Sequence, residues 1–533
     1  MNLFHAICEN DPDSIAVLFE GREITYAELL RQAVSIGKAI SSLGVQPEER
    51  VALLLHDSPE FLAAFTAICS FGAIAVPINM ALTAAEQCGI LHDCSATLAI
   101  VESGLFDSLL KASDDSLHFP RKLLTVDRTE RNATETIGSD FRITELVIRH
   151  LPVEILDLHD AENDARQLPP PEFNHDITEP AFILYTSGST GEPKGAIHRQ
   201  SDIFVTKETF CREVLNVNPA DRLFSSSRLP FAYGLGNSFS FPLLNGATTI
   251  LCREKPTPQT VSKVFRQYRP TIFFGVPVVY NLLLEHHRLE PLDCSSLRLC
   301  ISAGEALPAQ LGRDWERASG VPVLDGIGST EMLHMFMANH LEANLYGTSG
   351  KLIAGYEAQL RDESNQPSAP NAEGNLWVKG ESAAVGYWNK PEQTSQTFVN
   401  GWVRTGDLYT CDNNGYWSHM GRSDDCFKSS GRWVSPIEVE GILVRHALVS
   451  RAAVVEDFDE NGLPCPCAFV VAQRVESRVA ELENELRTLA SKSLGRFKRP
   501  RRYIFVDDLP YTATGKVQRY KLREQLRQEH RRA

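Results

Sequence analysis

The sequence predicts an α/β fold that combines a large parallel-sheet body with a small antiparallel unit and an α+β tail. In the body, short apolar runs such as residues 182–185 and 297–302 alternate with helical patterns such as residues 309–318. This alternation is typical of a parallel sheet that helices cover on both faces. Between residues 346 and 417, short strands and Gly/Asn turns indicate a small β-barrel or sheet. Because ligands of parallel α/β sheets bind beyond the carboxyl ends of the strands, we expect the functional loops to follow those ends.

The first predicted element is an amphipathic helix over residues 25–43. Thr25 and Glu28 form a capping-box pattern at its start, and Gly44 stands where a left-handed residue favours the end of a helix. The apolar face of this helix consists of Leu29, Ala33, Ile36 and Ile40.

The next element is an uncharged stretch over residues 61–85, which is long enough to cross a bilayer. Gly72, Pro77 and Asn79 interrupt it. The pattern therefore predicts a buried helix, a turn and a buried strand, with no membrane span.

The remaining elements continue the alternation. Strands are predicted over residues 182–185, 271–274, 297–302 and 321–324, and helices over residues 261–268, 278–286 and 309–318. In the tail, an amphipathic helix is predicted with Val479, Leu482, Leu486 and Leu489 on its apolar face.

Charge and cysteine content restrict the class of protein. The 533 residues carry a net charge of −15, which argues against nucleic-acid binding because phosphate backbones repel so acidic a chain. Residues 422–533 instead contain 21 basic and 16 acidic residues, which suggests two units that attract each other or that share an anionic ligand. The twelve cysteines show neither CxxC nor Cys/His zinc spacing, which indicates reduced thiols. Since the first residues lack the pattern of a signal peptide, we expect a cytoplasmic protein.

The strongest local signal is the loop Tyr-Thr-Ser-Gly-Ser-Thr-Gly-Glu-Pro-Lys-Gly at residues 185–195. Its glycines let backbone amides approach an anion, its hydroxyls donate hydrogen bonds, and Lys194 adds a positive charge. It differs from a Walker A loop because Pro193, rather than Gly, precedes Lys194. Composition alone leaves two interpretations open, a polyphosphate cradle and a flexible Ser/Gly loop.

This loop resembles the phosphate-binding signature of the adenylate-forming superfamily of acyl-CoA synthetases, peptide-synthetase adenylation domains and beetle luciferases. Further blocks of that superfamily follow in order and extend the resemblance from residue 185 to residue 519. They are Gly-Ile-Gly-Ser-Thr-Glu at 326–331, Gly-Trp-Val-Arg-Thr-Gly-Asp at 401–407, Gly-Arg-Ser-Asp-Asp at 421–425 with Lys428, and Pro-Tyr-Thr-Ala-Thr-Gly-Lys at 510–516 with Arg519. Within the superfamily, residues 325–332 resemble the benzoate- and anthranilate-type aryl-CoA ligases.

The resemblance implies an architecture and a set of substrates. A large N-terminal domain would cover residues 1–421, with two parallel-sheet α/β subdomains and a small β-barrel. A mobile α+β domain would cover residues 425–533, and Asp424 in the hinge 422–424 would absorb its rotation. ATP, Mg²⁺, an aromatic carboxylic acid and coenzyme A are the expected ligands.

By the same resemblance, these blocks bind ATP or AMP. Glu331 and Thr186 would hold Mg²⁺ through hard oxygen ligands, Asp407 would accept hydrogen bonds from the ribose hydroxyls, and Arg422 would anchor ribose or phosphate. A solvated loop acid, a turn-forming Asp and a surface ion pair are the alternatives for Glu331, Asp407 and Arg422. Ile327 stands where most members place an aromatic residue against adenine. The remaining nucleotide residues would be Ser187, Gly188, Ser189, Thr190, Gly191, Lys194, Asp325, Gly326, Gly328, Ser329 and Thr330.

Catalysis of the first step is assigned by resemblance to Lys516. A carboxylate that attacks the α-phosphorus of ATP meets Coulomb repulsion, and an ammonium that touches both anions offsets it as charge develops. Lys428 would serve the second step, in which the pantetheine thiol of CoA enters a tunnel. The tunnel would be lined by Lys428, Ser429, Ser430 and Gly431.

The acid pocket is expected at the aromatic, Gly-rich loop of residues 230–237. Small side chains at Ala303 and Gly304 would leave a slot, and Tyr233 would offer a ring edge to a planar acid. His334 could hydrogen-bond a ring substituent or the carboxylate, or be a satisfied core histidine, and benzoate and anthranilate stay the two leading acids. By resemblance, the pocket consists of Ala232, Tyr233, Ala303, Gly304, Gly328, Ser329 and His334.

The sequence therefore predicts an AMP-forming aryl-CoA ligase, with other functions as alternatives. The first alternative is an adenylation enzyme that loads the phosphopantetheine of a carrier protein. A luciferase-like oxidoreductase has no positive feature in the sequence. A non-catalytic nucleotide-binding regulator is disfavoured because Lys516, Glu331 and Asp407 are all present. The oligomeric state stays open, with a homodimer as one option.

Overall fold

The computed structural model describes residues 1–112, 119–120, 122–126, 144–148, 151–157, 172–187, 193–369, 371–430, 432–460, 462–472, 479–511 and 517–532. Its chain forms two compact units. The first unit consists of Met1–Tyr346, Leu352–Tyr356 and Lys379–Val403, and the second of Gly347–Lys351, Glu357–Val378 and Arg404–Ala533.

Two mainly parallel sheets form the first unit, as the alternating pattern predicts. The first sheet runs through Gly386–Tyr387, Pro193–Arg199, Pro180–Ser187, Ile74–Pro77, Arg50–Leu54, Leu98–Glu102, Lys122–Val126, Leu151–Asp157 and Thr144–Ile148. The second runs through Met335–Ala338, Val323–Gly328, Leu299–Ser302, Ile272–Gly275, Arg222–Ser225, Thr248–Leu251, Ile15–Phe19 and Arg22–Thr25. Short strands also lie at Lys351–Leu352 and Phe398–Val399.

Helices connect these strands and cover both sheets. They are Leu3–Cys8, Tyr26–Ser42, Pro59–Phe71, Ala84–Asp93, Phe106–Ala112, Gln200–Thr206, Ala232–Leu235, Phe241–Leu243, Pro258–Tyr268, Pro277–His287, Ala309–Ser319 and Pro391–Thr397. Wider, π-helical turns lie at Lys207–Leu215 and Gly236–Ser240, and 3₁₀ turns at Ser103–Leu105, Thr330–Met332 and Leu341–Ala343.

The capped helix of the sequence analysis is confirmed as Tyr26–Ser42. Thr25 Oγ1 accepts a hydrogen bond from the Glu28 amide at 3.2 Å, and Glu28 Oε2 accepts one from the Thr25 amide at 2.9 Å. Gly44 follows with φ of +77°, a left-handed conformation that costs glycine little.

The uncharged stretch forms the predicted buried helix and strand, Pro59–Phe71 and Ile74–Pro77. Gly72 ends the helix with φ of +98°. The helix lies in the core of the first unit, where the ring of Phe65 meets that of Phe239 at 5.0 Å. No helix in the described part of the chain is both long and apolar enough to span a bilayer.

Two predictions of local structure were wrong. Residues 230–237 were predicted as a loop, but Ala232–Leu235 is helical. The glycines there serve close packing rather than loop freedom, since a Cβ on Gly234 would lie 1.9 Å from the Arg228 carbonyl oxygen. The strand predicted over 321–324 extends as Val323–Gly328, so half of the Gly-Ile-Gly-Ser-Thr-Glu block lies in the sheet.

The second unit contains a small sheet and an α+β segment. The small sheet includes Glu357–Arg361, Gly374–Lys379, Trp402–Cys411 and Trp417–Arg422. The α+β segment contains the strand pairs Phe427–Ser429 with Arg432–Val434 and Val449–Phe458 with Pro464–Ala472, the strand Arg502–Phe505, the helices Pro436–Leu443, Val479–Ser493 and Arg519–Arg532, and the 3₁₀ turn Arg496–Lys498. On the predicted apolar face of its middle helix, Leu482 and Leu486 are buried, but Val479 is exposed because it is the first helical residue.

Candidate active site

The predicted phosphate loop joins two antiparallel strands of the first sheet, in which Thr186 lies opposite Lys194. The Tyr185 hydroxyl donates a hydrogen bond to Asp93 Oδ2 at 2.5 Å, so it supports the packing of the sheet instead of an anion cradle. Lys194 Nζ lies 5.5 Å from the centroid of the Tyr387 ring. Gly188, Ser189, Thr190 and Gly191 lie outside the described residues, as does the side chain of Ser187, and their nucleotide contacts stay predictions.

Glu331 lies in a tight turn between two antiparallel strands of the second sheet, Val323–Gly328 and Met335–Ala338. The turn is capped by Ser329, whose Oγ accepts a hydrogen bond from the Met332 amide at 3.2 Å. Gly326 is required in this hairpin because a Cβ there would lie 2.4 Å from the Met337 carbonyl oxygen. The hairpin therefore holds Glu331 on a rigid support at the carboxyl end of a strand.

The Glu331 carboxylate has a partner that the sequence analysis missed. The Tyr387 hydroxyl donates a hydrogen bond to Glu331 Oε1 at 2.6 Å, and Tyr387 is buried. Its strand, Gly386–Tyr387, pairs with Pro193–Arg199 of the phosphate hairpin. A Gly-Tyr pair more than 50 residues from Glu331 gives no local spacing signal, so only the tertiary structure reveals this contact.

Asp325 begins the same block and is buried. Its Oδ2 accepts a hydrogen bond from the Leu307 amide at 3.2 Å, while Oδ1 is buried without a hydrogen-bond partner among the described residues. Burial raises the pKa of this carboxyl to about 8, against the weaker opposing effect of the Leu307 amide. A carboxyl with such a pKa is protonated at neutral pH and can donate a hydrogen bond. The next residue but one, Ile327, is half-buried and offers apolar contact only.

The expected acid-pocket residues Tyr233 and His334 come together, with ring centroids 5.5 Å apart. His334 is buried between Phe210 at 4.9 Å and Phe241 at 4.7 Å. Burial lowers the pKa of His334 to about 3, with a smaller opposing effect from the Tyr233 backbone. The imidazole is therefore neutral at physiological pH.

The polar edges of these two rings are anchored differently. His334 Nε2 lies 3.2 Å from Asn237 Oδ1, whereas its buried Nδ1 has no hydrogen-bond partner among the described residues. The Tyr233 hydroxyl donates to the carbonyl oxygens of Gly275 at 3.3 Å and Ile301 at 3.4 Å. Asn237 was not assigned a role from the sequence, although it is a buried amide within the aromatic loop.

Small residues complete this region. Ala303 is buried directly after the strand Leu299–Ser302, and Gly304 has φ of +92°. Gly328 packs against the His334 backbone so closely that a Cβ would lie 2.5 Å from the His334 carbonyl oxygen. Buried Ala232 is the first helical residue before Tyr233.

Leu333 joins the Glu331 turn to His334 in a strained conformation. Its φ is +65° and its ψ is −37°, and the His334 amide donates to the Met332 carbonyl at 2.8 Å across it. This is a γ-turn of the rare positive-φ type. Such strain costs of order 1–3 kcal/mol and persists where the surrounding structure enforces it.

The second unit carries the predicted ribose residues. Arg422 Nη1 donates to Asp407 Oδ1 at 3.3 Å, and His419 Nε2 lies 3.4 Å from the same oxygen. Burial alone raises the pKa of Asp407, but His419 and Arg422 outweigh that effect and hold it below its ordinary value. Gly406, with φ of +77°, leaves room for the guanidinium, since a Cβ would lie 2.6 Å from Arg422 Nη2.

The predicted hinge Asp424 is exposed between two anchored neighbours. On one side, Ser423 donates from its amide to the Gly406 carbonyl at 2.9 Å. On the other, Asp425 accepts a hydrogen bond from Arg523 Nη1 at 2.8 Å and lies 3.6 Å from Arg519 Nη1.

The predicted tunnel and catalytic lysine are only partly described. Lys428 forms an ion pair with Glu363 at 2.6 Å and lies 5.1 Å from the centroid of the Trp433 ring. Ser429 is buried, and Ser430 has φ of +53°. Gly431 and Lys516 lie outside the described residues, so the tunnel and the catalytic ammonium stay predictions.

Two known protein families match successive parts of the chain. Residues 4–388 match the AMP-binding enzyme family, and residues 438–516 match the AMP-binding enzyme C-terminal domain. A benzoate–CoA ligase of Thauera aromatica is 39% identical over 501 residues, which cover 94% of this chain and 90% of the relative.

Two solved structures share the fold over nearly the whole chain. The anthranilate CoA ligase AuaEII in complex with anthranoyl-AMP has a TM-score of 0.87 at 33% identity, and the match covers 99% of this chain and 97% of that one. A benzoate CoA ligase from Burkholderia xenovorans LB400 has a TM-score of 0.84 at 35% identity, covering 98% and 100% of the two chains.

Proposed function

Because the chain belongs to the AMP-binding enzyme family, we propose that it is an ATP-dependent aryl-CoA ligase. It activates an aromatic carboxylic acid as the acyl-AMP and then transfers the acyl group to coenzyme A. The observation that carries this proposal is the aromatic cluster of Tyr233 and His334, whose ring centroids lie 5.5 Å apart. His334 follows Glu331 by three residues in the same hairpin. The benzoate–CoA ligase at 39% identity supports the same activity.

In the first half-reaction, a carboxylate oxygen of the acid attacks the α-phosphorus of ATP. The new O–P bond forms the mixed anhydride, and the bond to the β-phosphate breaks to release pyrophosphate. Lys516 would neutralise the two approaching anions. Glu331 and Thr186 offer the hard oxygen ligands that suit Mg²⁺, which would supply charge neutralisation on the phosphate oxygens.

Nucleotide binding is divided among several side chains. Asp407, ionised beside Arg422 and His419, would accept the two ribose hydroxyls. Protonated Asp325 would donate to an adenine ring nitrogen or remain a neutral acceptor for the exocyclic amine. Lys194, close to the Tyr387 ring, would meet the terminal phosphates.

In the second half-reaction, the CoA thiol attacks the acyl carbonyl carbon and AMP leaves with the phosphate oxygen. The strand that contains Lys428 would guide the pantetheine arm. We propose Asp424 as the pivot for the rotation of residues 425–533 between the two steps. Its neighbour Ser423 is hydrogen-bonded to Gly406, which precedes it in the chain, whereas its neighbour Asp425 is hydrogen-bonded to Arg523, which follows it.

We propose benzoate as the preferred acid. The residues expected to form the acid pocket include small side chains, apolar rings pack against His334, and this neutral imidazole adds no charge to repel or attract a substituent. Anthranilate is the second candidate, because Nδ1 of His334, which has no hydrogen-bond partner among the residues that the structure describes, offers a hydrogen-bond site to an ortho-amino group. Use of ATP and CoA fits a cytoplasmic enzyme.

ATP–pyrophosphate exchange with benzoate, anthranilate, hydroxybenzoates, cinnamates and medium-chain acids tests the acid. Exchange with benzoate above the other acids supports the proposal, and exchange with fatty acids alone contradicts it. A second assay offers free CoA beside a phosphopantetheinylated carrier protein. Benzoyl-CoA formation supports the ligase, whereas thioester found on the carrier protein alone identifies the carrier-loading alternative.

A further inference from the structure

A buried ionic cluster lies directly behind the Glu331 turn in the first unit. Asp202 is 0% exposed. Its Oδ2 lies 2.9 Å from His198 Nδ1. Its Oδ1 accepts a hydrogen bond from Arg199 Nε at 2.9 Å and lies 2.8 Å from Arg199 Nη2 in an ion pair. A carboxylate buried without such partners would be strongly destabilising.

His198 connects the cluster to the turn. It is 0% exposed, stacks on Phe182 at 5.3 Å, and its Nε2 lies 2.8 Å from the Thr330 carbonyl oxygen. Because a carbonyl oxygen only accepts, Nε2 must carry a hydrogen. Nδ1, on the other side of the ring, faces the Asp202 carboxylate at 2.9 Å. Asp202 thus fixes the ring so that it donates to the residue before Glu331.

Arg199 connects the cluster to a second segment. Its Nη2 donates to the carbonyl oxygens of Glu381 at 3.1 Å and Ala383 at 3.0 Å. The amide of the next residue, Ala384, donates to the Glu331 carbonyl at 2.8 Å. The same cluster therefore supports the backbone of Glu331 through Arg199.

The two connections meet at Glu331 from both sides. His198 holds the carbonyl of Thr330, and the segment anchored by Arg199 holds the carbonyl of Glu331 itself. That segment continues to Tyr387, which donates to the Glu331 carboxylate. Residues bonded to Asp202, or to its partners His198 and Arg199, therefore position the backbone of Glu331, the proposed Mg²⁺ ligand. The segment that Arg199 anchors also leads to Tyr387, which positions the Glu331 side chain.

We propose that Asp202, acting through His198 and Arg199, is a positioning residue for Glu331 and so determines the efficiency of the ATP-dependent half-reaction. The proposal rests on the proposed function, in which Glu331 binds Mg²⁺ with ATP. The second half-reaction consumes no ATP, so it does not depend on that carboxylate. Loss of Asp202 should therefore affect the two half-reactions unequally.

The test uses the 533-residue chain with Asp202→Asn. ATP–pyrophosphate exchange with benzoate measures the first half-reaction, and conversion of synthetic benzoyl-AMP and CoA into benzoyl-CoA measures the second. Loss of a group that orients a metal ligand typically costs about 10–100-fold, and we expect that loss in exchange, with a higher Mg²⁺ requirement. The second half-reaction should stay within about threefold of the parent rate, well below that 10–100-fold loss.

Asp221→Asn provides the matched control. Asp221 is also buried and also pairs with an arginine, through Arg298 Nη2 at 2.7 Å, but it precedes the strand Arg222–Ser225 and is not bonded to the turn. A double-mutant cycle with Glu331→Gln provides the second readout. If Asp202 acts through Glu331, its substitution should add little to the loss in the Glu331→Gln background.

The outcomes separate this proposal from the proposed function. A parent protein that exchanges no pyrophosphate with any aromatic acid contradicts the function itself. If the parent is active, three results would overturn the role of Asp202. They are equal losses of Asp202→Asn in both half-reactions, additive losses in the double-mutant cycle with Glu331→Gln, or the same pattern of losses in Asp221→Asn. If Asp202→Asn does not fold, Arg199→Gln replaces it in the same assays, with the same criteria. The Arg199 side chain is 29% exposed in the parent, so its substitution disturbs the core less.

Discussion

The Tyr387 hydroxyl donates a hydrogen bond to Glu331 Oε1 at 2.6 Å, while Lys194 Nζ lies 5.5 Å from the centroid of the same ring. One side chain therefore touches both the predicted metal-binding carboxylate and the lysine of the predicted phosphate loop. Tyr387 therefore fixes one carboxylate oxygen of Glu331, and its ring offers a cation–π contact to the Lys194 ammonium. The expected role of the Tyr387 hydroxyl is to orient the Glu331 carboxylate.

Tyr387→Phe should reduce ATP–pyrophosphate exchange by about 10–100-fold, because it removes a group that orients a metal ligand. The Mg²⁺ concentration needed for half-maximal exchange should rise. Tyr346→Phe is the control, since Tyr346 also donates to a carboxylate, Glu316 Oε2 at 2.9 Å, at a more exposed position. Equal kinetics for the two variants would show that the Tyr387 hydroxyl has no role in the reaction.

Lys516→Ala should lower adenylate formation by about 10²–10³-fold, the typical cost of removing one preorganised electrostatic donor. Conversion of supplied benzoyl-AMP into benzoyl-CoA should persist. Lys521→Ala removes a nearby exposed lysine from the following helix and should behave like the parent. Normal pyrophosphate exchange by Lys516→Ala would refute the assignment.

Asp407→Asn should raise the KM for ATP about tenfold or more, because hydrogen bonds to a charged group contribute about 1.5–3 kcal/mol. The KM for the acid should change less. Asp412→Asn is the matched variant at an exposed turn, where Asp412 Oδ1 accepts from the amides of Asn414 and Tyr416. The measurement is steady-state kinetics with ATP varied at saturating benzoate, and an unchanged KM for ATP in Asp407→Asn contradicts the ribose assignment.

Gly236→Ala should impair the acid pocket. A Cβ at this position would lie 2.4 Å from His334 Cδ2 and 3.1 Å from Phe241 Cε2, and overpacking of this kind costs about 1–3 kcal/mol. We expect kcat/KM for benzoate to fall about tenfold, in line with that free energy. Gly89→Ala adds the same methyl group where nothing lies within 4 Å, and a similar loss in that variant would locate the effect outside the pocket.

Asp325→Asn should stabilise the ligand-free protein at alkaline pH. The folded protein holds this proton up to a pKa of about 8, whereas the ordinary pKa of Asp is 3.8. As the pH rises between these values, the unfolded chain releases the proton first, so the parent loses stability through that window. Each pKa unit corresponds to about 1.4 kcal/mol, and we expect a gain of at least that size at pH 8 relative to pH 4.

Urea unfolding at both pH values measures this difference. Asp221→Asn should show the opposite trend. Burial raises the pKa of Asp221, but Arg298 and other hydrogen bonds outweigh it and hold the pKa below its ordinary value. Its carboxylate therefore stabilises the fold above pH 4, and its substitution should destabilise the protein at pH 8. A gain for Asp325→Asn that does not depend on pH would rule out a buried, protonated carboxyl.

The fold could largely be predicted from local patterns, because helix caps and apolar periodicity are local properties. Thr25 and Glu28 cap the first helix in both prediction and structure. Predictions failed where tertiary contacts decide the conformation. The glycines at 234 and 236 suggested a loop, but they allow a helical segment to pack against Arg228 and His334.

The candidate site shows the same division. Glu331 and His334 lie three residues apart in the sequence, and each could be assigned a role by resemblance. Tyr387, Asn237 and Asp202 could not be identified, because each reaches the site from a different strand or helix. Their shared property, a polar group on a buried side chain, emerges only from the folded chain.

The strained γ-turn at Leu333 has a consequence for the evolution of substrate range. Only this turn separates the residue expected to hold the metal from the residue expected to read the acid. Exchanging His334 to accept a new ring substituent would therefore disturb the geometry of phosphate chemistry as well. Variants selected for a different aromatic acid should acquire compensating changes behind the hairpin, and libraries that vary position 334 alone should yield mostly slow enzymes.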